Sequence, residues 1–161
     1  MKPRLRTGLA LAVVPIRVYL GGLFVYASLY KIAEPYDFAL SVATYQILPL
    51  SIVNLFALLV PWIELGLGST LILGIWTRTA GLLAGGLLLL FIVALSIALS
   101  RGLQLFCGCF ASRHAAEEIG ISTLFRDIGW LFLSFCVVVL DNGRYGLDRF
   151  LGRRERDRGT T

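Results

Sequence analysis

The sequence predicts an all-α integral membrane protein, a four-helix bundle with its N- and C-termini in the cytoplasm. Three observations point to it. Of 161 residues, 57% are hydrophobic and 16% are charged, with a mean hydropathy of +0.79, whereas soluble domains carry about 25% charged residues. A soluble chain of this size has no interior for so many apolar side chains, but a bilayer solvates them without burial against protein. The apolar residues also fall into four runs separated by short polar breaks, each suited to about 30 Å of hydrocarbon. Finally, the net charge of +5 comes mostly from the two ends, which on a membrane protein reads as topology before anything else. The basic residues flank spans and form no aromatic-interleaved patch, which argues against nucleic-acid binding. These features divide the chain into a cytoplasmic N-terminus over 1–8, a membrane domain over 9–140 and a basic cytoplasmic tail over 141–161, with no separate soluble module.

The first span is expected over Leu9 to Tyr30. It starts like a signal peptide but continues too far and lacks a small-x-small cleavage site, so it reads as an uncleaved helix. Arg17, in its first half, should snorkel to the nearby end or pair within the bundle. Gly21-Gly22 and Ala27-Ser28 form a small-residue stripe that admits a neighbouring helix. Pro35 bars continuation of the helix, and Phe38 to Tyr45 are expected to form a short helix lying at the membrane interface. The second span, Ser51 to Leu73, carries Pro61 and Glu64 near mid-membrane. A carboxylate there is costly unless paired or protonated, so Glu64 reads either as half of a structural ion pair or as a proton- or redox-coupling site. After a tight turn at Gly74 to Arg78 comes the third span, Thr79 to Ser100, without charge. Its Gly81 and Gly85 give a G-x-x-x-G spacing that serves either a contact within the chain or a homodimer. Ile128 to Leu140 alone is too short to cross, so the fourth span must start near Ile119 and take the adjacent pair Arg126 and Asp127 into the membrane.

Orientation follows from charge. With the termini and the Arg78 turn on one side, that side carries Lys2, Arg4, Arg6, Arg78, Arg144, Arg149, Arg153, Arg154, Arg156 and Arg158. The other carries Lys31, Arg101, Arg113 and, within the span, Arg126. The excess puts the termini in the cytoplasm of a bacterial inner membrane and the break between the third and fourth spans in the periplasm. That break contains Phe106-Cys107-Gly108-Cys109-Phe110. Cysteines at i and i+2 satisfy the distance a disulfide requires, and the glycine between them opens the tight ring. Such a bond closes almost no chain and so stabilises little. Strained, exposed bonds are instead the exchangeable ones, in a compartment where disulfides persist. Cys107 and Cys109 are therefore the candidate catalytic pair. The alternative is a soft-metal site, copper or zinc, on Cys107 and Cys109 with His114 as a third ligand, in a non-enzymatic scaffold or copper-binding subunit. A transporter is a third option. Cys136, deep in the fourth span, reads as a small hydrophobe. Only one outward pair is present, so electrons must pass to a docked thioredoxin-like protein or directly to a quinone in the membrane.

Several motifs together resemble the methylamine-utilisation MauE family and its DoxX-like relatives. These are Tyr30-Lys31-x-x-x-Pro35-x-x-Phe38, Tyr45-x-x-Leu48-Pro49, Pro61-Trp62-x-Glu64-Leu65-x-Leu67-Gly68, Cys107-Gly-Cys109-Phe110 and Arg126-Asp127. The resemblance runs from the first span to the fourth, and the Pro-Trp-x-Glu and Cys-Gly-Cys-Phe elements are its specific parts. It implies four-helix membrane proteins associated with redox partners, linked to maturation of the disulfide-rich small subunit of methylamine dehydrogenase beside a thioredoxin-like periplasmic protein. It also implies Cys107 and Cys109 as the redox pair and Lys31, Glu64, Arg126 and Asp127 as the motif's polar positions. It does not imply which protein is the substrate.

Overall fold

The computed structural model describes residues 3–47, 49–101 and 121–141, all helices and their connections. Cys107, Cys109 and His114 lie outside the described residues. The described residues form five helices in order: α1 (Pro3–Ala33), α2 (Pro35–Thr44), α3 (Leu50–Leu73), α4 (Thr77–Ser100) and α5 (Ile121–Leu140). Among the described residues, four segments are long and apolar enough to cross a membrane: Ala12–Ala33, Leu50–Leu73, Thr77–Ser100 and Ser122–Leu140. Helix α5 carries Arg126 and Asp127 inside its span, as the length argument requires.

Local chemistry sets the boundaries. Pro35 has no N–H and crowds the residue before it. Glu34 accordingly leaves the helical region (φ −124°, ψ 65°), and Pro35 opens α2 at its first turn, where the missing donor costs nothing. Helix α3 stops at Gly74, which takes the left-handed conformation (φ 73°) and donates its N–H to the Thr70 carbonyl at 2.9 Å, the glycine-terminated helix end. Two residues later Trp76, also left-handed (φ 46°), starts α4.

The four spans close into a ring in which α3 packs on α1, α1 on α5, α5 on α4 and α4 on α3. Each helix turns one stripe inward at helical spacing. On α3 it is Val53, Ala57, Val60, Glu64, Leu67 and Leu71. Small residues set how close the axes come. A Cβ on Gly21 would lie 2.8 Å from the Gly68 carbonyl oxygen, and one on Gly68 would lie 2.7 Å from that of Gly21, so α1 and α3 cross backbone against backbone. The neighbouring Gly22 faces open space instead. The G-x-x-x-G of α4 is used within the chain: a Cβ on Gly81 would meet Val138 at 3.0 Å and one on Gly85 would meet Ser134 at 3.2 Å. Ser134 also donates its hydroxyl to the Gly81 carbonyl at 2.7 Å.

Polar ties mark the two ends. Where the chain begins, Arg17 Nη1 meets Asp141 Oδ2 at 3.2 Å, and Arg78 Nε donates to the Asp141 carbonyl at 3.1 Å. Arg17 thus pairs within the bundle. At the opposite end Arg101 Nη1 reaches the Gln46 carbonyl at 3.5 Å. The segment 102–120, which carries Cys107 and Cys109, joins α4 to α5 from this second end.

Helix α2 packs against the bundle through one face. Its Phe38 ring lies 4.9 Å from Lys31 Nζ, and that amine also binds Glu64. Glu64 is about 20 Å along α3 from its start at Leu50, at 1.5 Å per residue. Phe38 and Val42 pack with Val53, Ala57 and Val60. So α2 runs alongside the first half of α3. The reason is burial: Phe38 and Val42 find a groove beside α3, and lying across the bundle end would leave them outside it.

Candidate functional site

The polar positions converge. Lys31 ends the inward stripe of α1, Glu64 sits in the middle of that of α3, and Asp127 follows Thr123 on that of α5. Each occupies a register where an aliphatic residue would otherwise pack, so helix geometry points all three at one another. Lys31 Nζ donates to both oxygens of Glu64, at 2.6 and 2.8 Å. The two residues are 2% and 3% exposed. Taking both charges out of water costs several kcal/mol for each ion, which short, well-directed hydrogen bonds offset. Two aromatic rings add to this, with Phe38 and Phe91 centred 4.9 and 4.8 Å from the amine, where ring faces attract a desolvated cation.

Asp127 is 5% exposed. Its Oδ1 lies 3.6 Å from Nε of Arg126, whose guanidinium stacks 4.8 Å from the Trp130 ring. Arg126 keeps about a third of its side chain exposed (35%). Two cations and two carboxylates therefore sum to zero, with Lys31 and Glu64 innermost and Arg126 at the rim. Lys31, Glu64 and Asp127, with Phe24, Phe91 and Trp130, line a cavity of about 40 Å³. Such a volume has room for about one water. Carboxylates on two helices facing a water-sized space beside an amine can hold a proton and pass it from one to another. They can also fix the angle between three helices. Among the described residues no group of three His, Cys, Asp or Glu side chains is placed to hold a metal ion, and the alternative ligand set Cys107, Cys109 and His114 lies outside them. Cys136 is half-buried in α5.

Of the polar positions singled out in the sequence, Lys31, Glu64 and Asp127 line one cavity, and Arg126 pairs with Asp127 beside it. Sequence reasoning missed the aromatic lining. Phe91 sits in a run of leucines with nothing local to mark it, but its place on the α4 inward stripe three residues after Leu88 was available as a signal. It also assigned Asp141 to the tail, although this residue is buried against Arg17.

Comparison with known proteins places this architecture. Residues 8–140 match the family model described as methylamine utilisation protein MauE. The chain is 30% identical over 115 residues to the methylamine utilization protein MauE of Methylophilus methylotrophus, covering 71% of this chain and 60% of that protein. It is 34% identical over 96 residues to the MauE of Paracoccus denitrificans and 35% identical over 96 residues to that of Methylorubrum extorquens, in each case covering 59% of this chain and 52% of the relative. The chain thus spans between half and three fifths of the length of these curated relatives. No solved structure matches. With the family model covering every span from α1 through α5, the chain belongs to the MauE family.

Proposed function

We propose that this chain serves methylamine utilisation as a membrane thiol-disulfide redox protein. Cys107 and Cys109 exchange disulfides with a thioredoxin-like protein at the periplasmic face, and the termini lie in the cytoplasm. The observation that carries the reading is the cluster itself. Three ionisable side chains from three helices, Lys31, Glu64 and Asp127, line one cavity inside the span, and Arg126 pairs with Asp127 at its rim, where an intramembrane charge is a functional-site hypothesis by default. A bundle held only by packing has no need of them, since well-packed apolar residues are often as stable as a buried ion pair. The family match and the printed names of the relatives supply the methylamine context.

The exchange runs as follows. A thiolate of the partner attacks the Cys107–Cys109 disulfide, forming a mixed disulfide and releasing one thiolate. The partner's second thiol then attacks the mixed bond and leaves oxidised. The chain is left as the dithiol, holding two electrons and two protons. A quinone in the bilayer takes both to become a quinol, restoring the disulfide. The inward carboxylates Glu64 and Asp127 serve the proton side of this step.

The test is capture of the intermediate. In cells, Cys107→Ala or Cys109→Ala should accumulate a mixed disulfide with a thioredoxin-like protein, visible as a reducible higher-mass band. The double variant should show none. If neither single variant forms such a band while both cysteines prove to bind copper, the scaffold reading replaces this one.

A further inference from the structure

Beside the charge cluster, on the bilayer-facing side of the bundle, lies a second feature that the exchange reaction does not use. Between α1 and α5 runs an open groove of about 520 Å³, lined by Val18, Tyr19, Gly22, Tyr26, Arg126 and Trp130 among others. Val18, Tyr19 and Tyr26 are 44%, 56% and 63% exposed in the middle of a span, so whatever fills the groove comes from the bilayer. Its floor is open because a Cβ on Gly22 meets nothing within 4 Å. Leu23 and Trp130 belong both to this groove and to the buried cavity, so a single wall separates bilayer from Lys31, Glu64 and Asp127. Arg126 lines the groove on one side of that wall and pairs with Asp127 on the other.

We propose that this groove is the quinone site: a ring entering laterally from the bilayer lies against Trp130 and the two tyrosines, with a carbonyl oxygen held by Arg126. The inference rests on the exchange reading for the need of an acceptor and names where that acceptor binds. The chemistry of the lining fits the ligand. A quinone is a flat ring with two hydrogen-bond-accepting oxygens on an apolar tail. The groove offers aromatic faces, a guanidinium donor and an apolar floor. Quinone reduction takes up two electrons and two protons, turning each carbonyl into a hydroxyl as the dithiol closes to a disulfide. The protons come by way of Asp127, behind the shared wall.

The test uses the full chain in phosphatidylcholine nanodiscs, in a Trp62→Phe/Trp76→Phe background that leaves Trp130 as the sole tryptophan. Decylubiquinone is the probe. Saturable quenching of Trp130 fluorescence is expected, weakened at least tenfold by Arg126→Gln and abolished by Gly22→Leu, whose side chain starts from a Cβ that meets nothing within 4 Å and extends into the groove. Quenching that rises linearly without saturation, or that Gly22→Leu leaves unchanged, overturns the proposal. A Trp130 response to replacing phosphatidylcholine by phosphatidylglycerol, with no saturable response to decylubiquinone, makes the groove a lipid headgroup site and also overturns it. Repeating the titration with Cys107→Ser/Cys109→Ser separates the two readings. Binding must survive in that variant, because the site contains no thiol. Loss of quinone binding in a chain that still forms mixed disulfides removes only the site.

Discussion

The Lys31–Glu64 pair shows how one residue's cost is set by another's. Each is tolerable inside the bundle only because its partner is there, and removing one leaves an uncompensated buried charge, worth about 3–5 kcal/mol. Glu64→Leu should therefore lower stability by about that amount, while Lys31→Met/Glu64→Leu should recover most of the loss, as read by denaturation midpoints in detergent. A loss in the double variant equal to the sum of the Lys31→Met and Glu64→Leu losses would mean that the pair is not coupled. Phe91→Leu should cost less, about 1–2 kcal/mol, since it removes one ring face from the amine but leaves both hydrogen bonds. The sequence announced the charged members clearly, because ionisable residues within apolar runs are rare. It did not announce their partners. Lys31 and Glu64 stand 33 positions apart, and no local pattern says which intramembrane cation meets which carboxylate.

At the scale of the helix, small residues decide which faces touch. Gly68→Ala puts a methyl within 2.7 Å of the Gly21 carbonyl oxygen, backbone that cannot move aside. Overpacking of this kind costs about 1–3 kcal/mol. Gly66→Ala, whose methyl meets nothing within 4 Å, should be neutral or stabilising by up to about 1 kcal/mol, since alanine favours the helix over glycine. Thermal unfolding of the two variants side by side checks the contrast, and indistinguishable midpoints would count against the α1–α3 crossing. Ser134→Ala should cost about 0.6 kcal/mol, the usual value of a hydrogen bond between helices in a membrane. Small-residue stripes were legible beforehand on α1 and α4, and so were the breaks at Pro35 and Gly74, because proline and glycine act locally. The packing of α2 on α3 was not. Its apolar residues suit an interface or a groove equally well, and the choice belongs to α3, which offers the groove.

For the whole molecule, four spans return the chain to the side where it began, with Arg17, Arg78 and Asp141 tied together there. The connection carrying Cys107 and Cys109 leaves from the other end. Fold class and span count followed from hydropathy and length because the bilayer imposes one thickness on every crossing helix. The convergence of α1, α3 and α5 on one cavity is a property of the assembled ring, invisible in any single segment. The account as a whole turns on what the two thiols do and which compartment they face. Intact cells expressing the Cys136→Ala chain should be treated with a membrane-impermeant, mass-tagged maleimide, with and without prior reduction. Two tags should attach only after reduction, showing a Cys107–Cys109 disulfide open to the outside. Free labelling without reduction, or no labelling by the impermeant reagent in either case, would contradict periplasmic disulfide exchange.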